Sequence, residues 1–422
     1  MALKKKPVNG MRDILPEEAY LRDYVTNVIK ETYRSFGFTP IETPLLEEIG
    51  NLSNDQGGEN EKLIFKVLKR GEKLDLSGDV REEDIVDYGI RYDLTVPLSR
   101  FFANNENDLK KPFKALQIGP VFRADRPQKG RYREFTQCDI DIIGEPSYLA
   151  ECELITATSK ALSALSFKGF KIIINDRRLL TGMAKYAGFP DDGHTKLFII
   201  LDKLDKIGLS GVRDELLESG FSKDSIEKYL SLFEALSGKE DVKEALLILE
   251  EKMGDSFPKD AGDDLSRISK IVQSEDVKEA DFRLVFDPTL VRGMGYYTGP
   301  VFEIRIEELS ISCGGGGRYD NMVGLFSGHP TPACGFSIGF ERIILLLKER
   351  GFVIPGEGKK IAILLDKGLS EDELMEAYKE AAKLRKEGNT VLVERIQKNK
   401  KFQKEILTNE GYSEVIEKWQ SR

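Results

Sequence analysis

The sequence predicts an α+β fold: an antiparallel sheet flanked by helices, with a helical insertion and a small C-terminal α/β domain. Three observations carry this. Residues 88–145 run as strand-like stretches, "YGIRYDLTVPLSRFF", "PFKALQIGPVFRA" and "YREFTQCDIDIIG", joined by short turns rather than crossover helices. From about 170 to 275 the chain is rich instead in the helix formers Leu, Glu, Lys and Ala. Beyond residue 358, "IAILL", "SEDELMEAYKEAAKLRKEG" and "NTVLVER" alternate as strand, helix and strand.

The elements follow in order. From Pro16 to Phe36, Leu21, Tyr24, Val25, Val28, Ile29, Tyr33 and Phe36 fall at helical spacing. Pro16 suits the first turn and Gly37 the stop, so an amphipathic helix is predicted. "FGFTPIETPLLEE" is strand-like but interrupted by Pro40 and Pro44, which places Pro44 at a sheet edge or a junction. "FKIIIND" opens the inserted region as a strand. "FRLVFDPTLVRGMGYYTGPVFEIRI" and "CGGGGRYDNMVGLF" return to strands and glycine turns, and "GFSIGFERIILLLKER" reads as strand, turn and helix. The expected organisation is one domain over residues 1–350, a linker at 351–358 and a second domain at 359–422.

Composition narrows the function. With 422 residues, 40% of them apolar, the chain is long enough for two or three domains. Its net charge of -9 argues against indiscriminate coating of nucleic acid, yet leaves a local basic site possible. No run approaches the roughly 18 apolar residues of a membrane span, and "MALKKKPVNG" lacks the apolar core of a signal peptide. The four cysteines show no paired spacing and there are only two histidines, so a zinc site is not expected and histidine-activated nucleophiles have almost no candidates. Reduced thiols and a cytoplasmic location fit best.

Chemistry concentrates in a few stretches. "RADRPQKGRYREF", residues 123–135, gathers cations into a predicted hairpin whose turn is Pro127 to Gly130. It could be a nucleic-acid loop, a phosphate clamp or a solvated turn. Arg123 at the end of one strand and Phe135 on the next suit a nucleotide, since arginine clamps phosphate and phenylalanine stacks on a base. Along the next strand the alternation puts Phe135, Gln137, Asp139 and Asp141 on one face and Thr136, Cys138, Ile140 and Ile142 on the other. That polar face could hold a planar ring and a cation, or it could belong to an edge strand facing water. "RYDLT" is read as a strand with Arg91, Asp93 and Thr95 on one face. "CGGGGRYD" allows close backbone approach but is neither a P-loop nor a dinucleotide fingerprint. Arg292, beside "GYYTG", could stabilise transition-state charge or pair with an acid.

These segments in this order resemble class II aminoacyl-tRNA synthetases, and among them the histidyl-tRNA synthetase family. "NGMRDILP" resembles that family's N-terminal signature, "FGFTPIETPLLE" its motif 1 with Pro44 as the motif proline, "FRADRPQKGRYREFTQCDIDIIG" its motif 2 and "GFSIGFERI" its motif 3. "LVRGMGYYTG" and "GGGRYD" resemble its two histidine signatures, and the likeness spans nearly all of residues 5–350. The resemblance implies the class II fold, ATP with its Mg²⁺, L-histidine and tRNA(His) as substrates, and a homodimer. It implies that Arg123 holds the α-phosphate, Asp125 contacts adenine, Phe135 stacks on it, and Arg131 and Arg342 bind the outer phosphates. Asp93 and Thr95 would hold the histidine amino group, with Gln137 helping to place the amino acid; Asp141 with Tyr296 would read the imidazole, and Tyr297 and Tyr319 would complete that pocket. Arg292 would be the activating arginine.

Two departures stand out. Gly295 replaces the aspartate usual in the family's signature loop. The segment from Lys359 to Arg422 is shorter than the family's anticodon-binding domain, and its run of Arg395, Lys398, Lys400, Lys401 and Lys404 reads equally as a tRNA contact or a solvated helix face. The roles of Arg126 and Lys129 stay open. A different class of function also fits the resemblance: the synthetase-like regulatory subunit of ATP phosphoribosyltransferase, which typically lacks the activating arginine kept here as Arg292.

Overall fold

The computed structural model describes residues 3–53, 63–77, 79–128, 130–291, 296–309, 311–356 and 358–420. In chain order the strands are β1 (Thr39–Pro40), β2 (Leu46–Glu48), β3 (Phe65–Leu68), β4 (Val86–Ile90), β5 (Phe113–Phe122), β6 (Glu134–Ile143), β7 (Phe170–Asp176), β8 (Phe282–Phe286), β9 (Pro300–Arg305), β10 (Gly314–Arg318), β11 (Ala333–Gly339), β12 (Lys360–Leu365), β13 (Thr390–Arg395) and β14 (Glu414–Lys418). An eight-stranded sheet has the order β1-β5-β6-β11-β10-β9-β7-β8. It is antiparallel from β5 through β7, with parallel pairs at its two ends, β1 with β5 and β7 with β8. The fold class is the mixed one the sequence predicts, a large antiparallel-rich sheet flanked by helices.

The helix Pro16–Ser35 begins at its proline, carries Glu17 and Glu18 in the first turn, and gives way to Gly37 at φ +80°. Acidic side chains at that end complement the positive pole of the helix dipole. Val25, Ile29 and Tyr33 form its buried face. Pro44 falls between β1, in the large sheet, and β2, in a small sheet ordered β2-β4-β3. It thus sits at a junction, where a missing N–H disrupts no ladder.

Two readings need correction. "RYDLTVPLSRFF" is not a strand: β4 stops at Ile90, and Thr95–Asn105 is a helix. Asp93 Oδ1 accepts the Val96 N–H at 3.2 Å, and Pro97 in the first turn needs no donor partner, so the local chemistry starts a helix despite the β-branched residues. Arg91 therefore shares no strand face with Asp93. Its guanidinium donates to the carbonyls of Pro120 and Thr43 at 2.9 and 2.7 Å, tying the segment after β1 to β5. Second, the glycines of "CGGGGRYD" form no turn but the central strand β10. After β6 the chain forms the helix Leu149–Ala164.

Between β7 and β8 the chain runs through the helices Arg177–Ala187, His194–Leu201, Leu204–Glu218, Lys223–Ala235, Val242–Met253 and Lys259–Val272. Ile14–Tyr24 and Glu349–Arg422 group as a separate compact unit. Its sheet is parallel in the order β13-β12-β14. Ile361, Ile363 and Leu365 of β12 pack toward Ala377 and Ala381, while Ala362 and Leu364 pack toward Leu407. Alternating faces of one buried strand therefore serve both layers. Helix Glu371–Lys386 starts with a reciprocal Ser370–Glu373 capping box.

Candidate active site

One cleft of about 380 Å³ lies over the face of β6, β11 and β10. Phe135, Gln137, Asp139 and Asp141 of β6 line it, as the alternation requires, while Cys138, Ile140 and Ile142 point into the core; Thr136, expected on the opposite face, also borders the cleft. β6 is paired on both sides, with β5 and β11, which rules out the edge-strand reading. Asp139 and Asp141 are only 4% and 3% exposed, so this polar face is a built site and not a wet surface.

The neighbouring strands make room for it. Across the ladder Asp141 faces Gly335, Asp139 faces Ser337 and Gln137 faces Gly339. A Cβ on Gly335 would lie 2.0 Å from Asp141 Oδ1. On β10, a Cβ on Gly317 would strike the Tyr297 ring at 2.9 Å, and one on Gly316 the Gly335 carbonyl at 2.0 Å. The glycines flatten the floor, so that carboxylates and tyrosines can occupy space a side chain would fill.

At one end of the cleft the chemistry is acidic and aromatic. Asp93 keeps Oδ2 unpartnered beyond its bond to Val96. Tyr319 donates its hydroxyl to Asp141 Oδ1 at 2.6 Å, leaving Asp141 Oδ2 unpartnered. Gln137 Nε2 lies 3.2 Å from Asp139 Oδ2. Burial pushes the Asp93 carboxyl up to about 6 and the Asp141 carboxyl up to about 7. Asp139 is raised well above the ordinary range by burial and then by the negative charge of Asp141. Tyr296 packs against Tyr297 and edge-on to Tyr319, with ring centroids 4.7 and 6.0 Å apart. Two buried acids, Asp93 and Asp141, each with one oxygen unpartnered among the described residues, walled by aromatic rings, suit a cationic ligand with a flat ring.

The other end is cationic. Arg123 donates to the Tyr92 carbonyl at 2.9 Å, and its guanidinium carbon lies 5.3 Å from the Phe135 ring centroid. Asp125 and Arg131, both expected to touch nucleotide, pair with each other through two bonds of 3.1 and 3.0 Å. Arg342 donates to the Ser312 carbonyl. With Thr95, every sequence-predicted site residue except Arg292 lines this one cleft. Arg292 and Gly295 lie outside the described residues, as does Lys129. Arg126 is exposed and stands apart from the cleft lining.

The sequence missed two supporting groups. Arg12 bonds Glu341 Oε2 at 2.8 Å and sits 4.5 Å over the Tyr132 ring, while Glu341 Oε1 accepts the Thr136 N–H at 3.2 Å. Ser337 hydrogen-bonds Asp139 from the adjacent strand. The only signals were the position of Arg12 in "NGMRD" and the parity of Ser337 in β11.

A cleft on an antiparallel sheet, floored by motif 2 and motif 3 strands and split into an acidic and an arginine-lined end, is the architecture of a class II aminoacyl-tRNA synthetase. Residues 10–343 match the family model described as histidyl-tRNA synthetase. The histidine–tRNA ligase of Leifsonia xyli is 46% identical over 82% of this chain and 81% of its own. That of Aeropyrum pernix is 38% identical over 81% and 74%. Among solved structures, the histidyl-tRNA synthetase of Nostoc sp. aligns at 26% identity and TM-score 0.77, covering 97% of this chain and 90% of that one. An ATP phosphoribosyltransferase regulatory subunit/histidyl-tRNA synthetase from Bacillus halodurans aligns over all of both chains at TM-score 0.78 and 23% identity, a likeness of fold. The chain belongs to the histidyl-tRNA synthetase family.

Proposed function

We propose that this chain ligates histidine to tRNA in two steps. The histidine carboxylate attacks the α-phosphorus of ATP, forming the acyl–phosphate bond of histidyl-adenylate as the bond to the leaving pyrophosphate breaks. A terminal ribose hydroxyl of tRNA(His) then attacks the acyl carbon and AMP departs. The nucleophile of the first step is already ionised, so no general base is required, and the work is positioning and charge stabilisation.

The observation that carries this reading is the division of one cleft into two ends. Arg123, Arg131 and Arg342 would bind phosphates, with Asp125 and Phe135 at the adenine. For that, the Asp125–Arg131 pair must open or turn toward the nucleotide. Asp93, Thr95 and Gln137 would take the ammonium, Asp141 and Tyr296 the imidazole, with Tyr297 and Tyr319 closing the pocket. Arg292 would stabilise charge at the α-phosphate. Mg²⁺ supplies neutralisation of the triphosphate when bound with ATP. Among the described residues no group of three His, Cys, Asp or Glu could hold a metal ion, and Asp125 and Glu341 near the phosphate end are engaged by arginines. We read the ion as one carried in with the nucleotide.

The same reading carries a cytoplasmic homodimer; the four cysteines are free and buried, and no described helix is long and apolar enough to cross a membrane. In the C-terminal unit, Lys400 and Lys404 pair with Glu417, and Arg395 with the Asp366 carbonyl. Lys398 and Lys401 are exposed and are the candidates for tRNA phosphates. The deciding experiment is histidine-dependent exchange of pyrophosphate into ATP, followed by acylation of tRNA(His). Exchange that Arg292→Ala abolishes while histidine still binds supports the ligase; histidine binding without exchange in the unaltered protein favours the regulatory subunit.

A further inference from the structure

Asp139 is a buried carboxylate on the cleft face that the reaction above leaves without a task. We propose that it is a positioning residue, which fixes the Gln137 side-chain amide so that its carbonyl oxygen faces the substrate ammonium. The inference rests on the histidine reading of the cleft.

The geometry is a short relay across two strands. Gln137 Nε2 stands 3.2 and 3.4 Å from the two Asp139 oxygens and 3.4 Å from Ser337 Oγ. Gln137 Oε1 is buried and has no partner among the described residues. An amide has one acceptor end and one donor end, and only the contacts decide which way it points. Turning it over would press its oxygen against two carboxylate oxygens and aim an NH2 group at an incoming cation. With Asp139 ionised, only one orientation is satisfied, and it offers the ammonium an acceptor oxygen. Burial and the charge of Asp141 favour a proton on Asp139, and the ammonium counters this by favouring the carboxylate.

Asparagine at 139 keeps the size but presents both a donor and an acceptor, so either orientation of Gln137 is then tolerated. Titration calorimetry on the full chain with three ligands tests the idea: histidine, histidinol, which keeps the amine, and imidazolepropionate, which lacks it. Asp139→Asn is expected to weaken histidine and histidinol roughly tenfold or more, the loss of one charge-assisted bond, and to leave imidazolepropionate within about twofold. Exchange kinetics should show a raised KM for histidine and an unchanged KM for ATP. Ser337→Ala, which loosens the relay without touching a charge, should give the same pattern at smaller size and decides the matter if Asp139→Asn does not fold. Equal losses for histidinol and imidazolepropionate, or no loss for histidinol, overturn the proposal. Wild-type protein that binds neither histidine nor histidinol overturns the histidine reading of the cleft, and this inference with it.

Discussion

The Tyr319 hydroxyl reaches Asp141 Oδ1 at 2.6 Å beneath the Gly335 backbone, while the other oxygen of this buried carboxylate has no partner among the described residues. It does not offset burial, which holds the acid near 7. A carboxyl raised in the folded state stabilises the fold below its unfolded value, near 4, and withdraws that stability as pH rises through 7. Asp141→Asn should therefore raise Tm at pH 8 more than at pH 5, with the gain nearly gone at pH 4. The upper bound at pH 8 is about 4 kcal/mol, from the displacement between ordinary and folded values. The same variant should lose histidine binding. Thermal melts across this range check the sign; a gain that does not grow with pH defeats the assignment.

Arg318, the arginine of "GGGRYD", points away from the cleft. It makes a bidentate pair with Glu151 at 2.6 and 2.8 Å, both side chains nearly enclosed, and donates to the carbonyls of Glu145 and Ser147. It thereby ties β10, and Tyr319 beside it, to helix Leu149–Ala164. Removing one partner strands a buried charge, so Arg318→Ala should cost about 3–5 kcal/mol, measured by denaturant unfolding. Arg318→Met combined with Glu151→Leu should recover much of that loss. A single variant as stable as wild type would show that water reaches the pair.

The two halves of the cleft were unequally legible, for physical reasons. A strand with polar residues at every second position and apolar ones between declares its faces, so the β6 quartet could be read directly. Loop-borne residues carry no such period. Asp93 was placed in the cleft only through the family likeness, and the strand drawn through it was wrong because a single carboxylate–amide bond starts a helix there. β10 was hidden for the opposite reason. Glycine is a poor strand former by propensity, and what makes it necessary is the proximity of Tyr297 and Gly335, which no local pattern reveals. Arg12 meets Glu341 across 329 positions of sequence, a separation beyond any periodicity.

That Arg12–Glu341 contact leads to the last expectation. Residues 9–12 brace the hairpin from below: the Gly10 carbonyl accepts the Arg133 N–H at 2.8 Å, the Asn9 carbonyl accepts from the Arg133 guanidinium at 3.2 Å, and Arg12 covers Tyr132. Gly10 has φ +85°, and a Cβ there would meet Arg133 and Pro127 at 2.8 Å. This brace fixes the loop bearing Arg131 relative to Glu341 and its neighbour Arg342, so its loss should be felt at the phosphates and not at the amino acid. Arg12→Ala should raise the KM for ATP in pyrophosphate exchange about five- to thirtyfold, the worth of a half-buried ion pair with a cation–π contact. The KM for histidine should stay within about twofold. Arg12→Lys, which keeps the charge but not the flat stacking surface, should fall between. A variant in which both constants rise together would mean that the segment supports the whole sheet and has no particular bearing on the nucleotide.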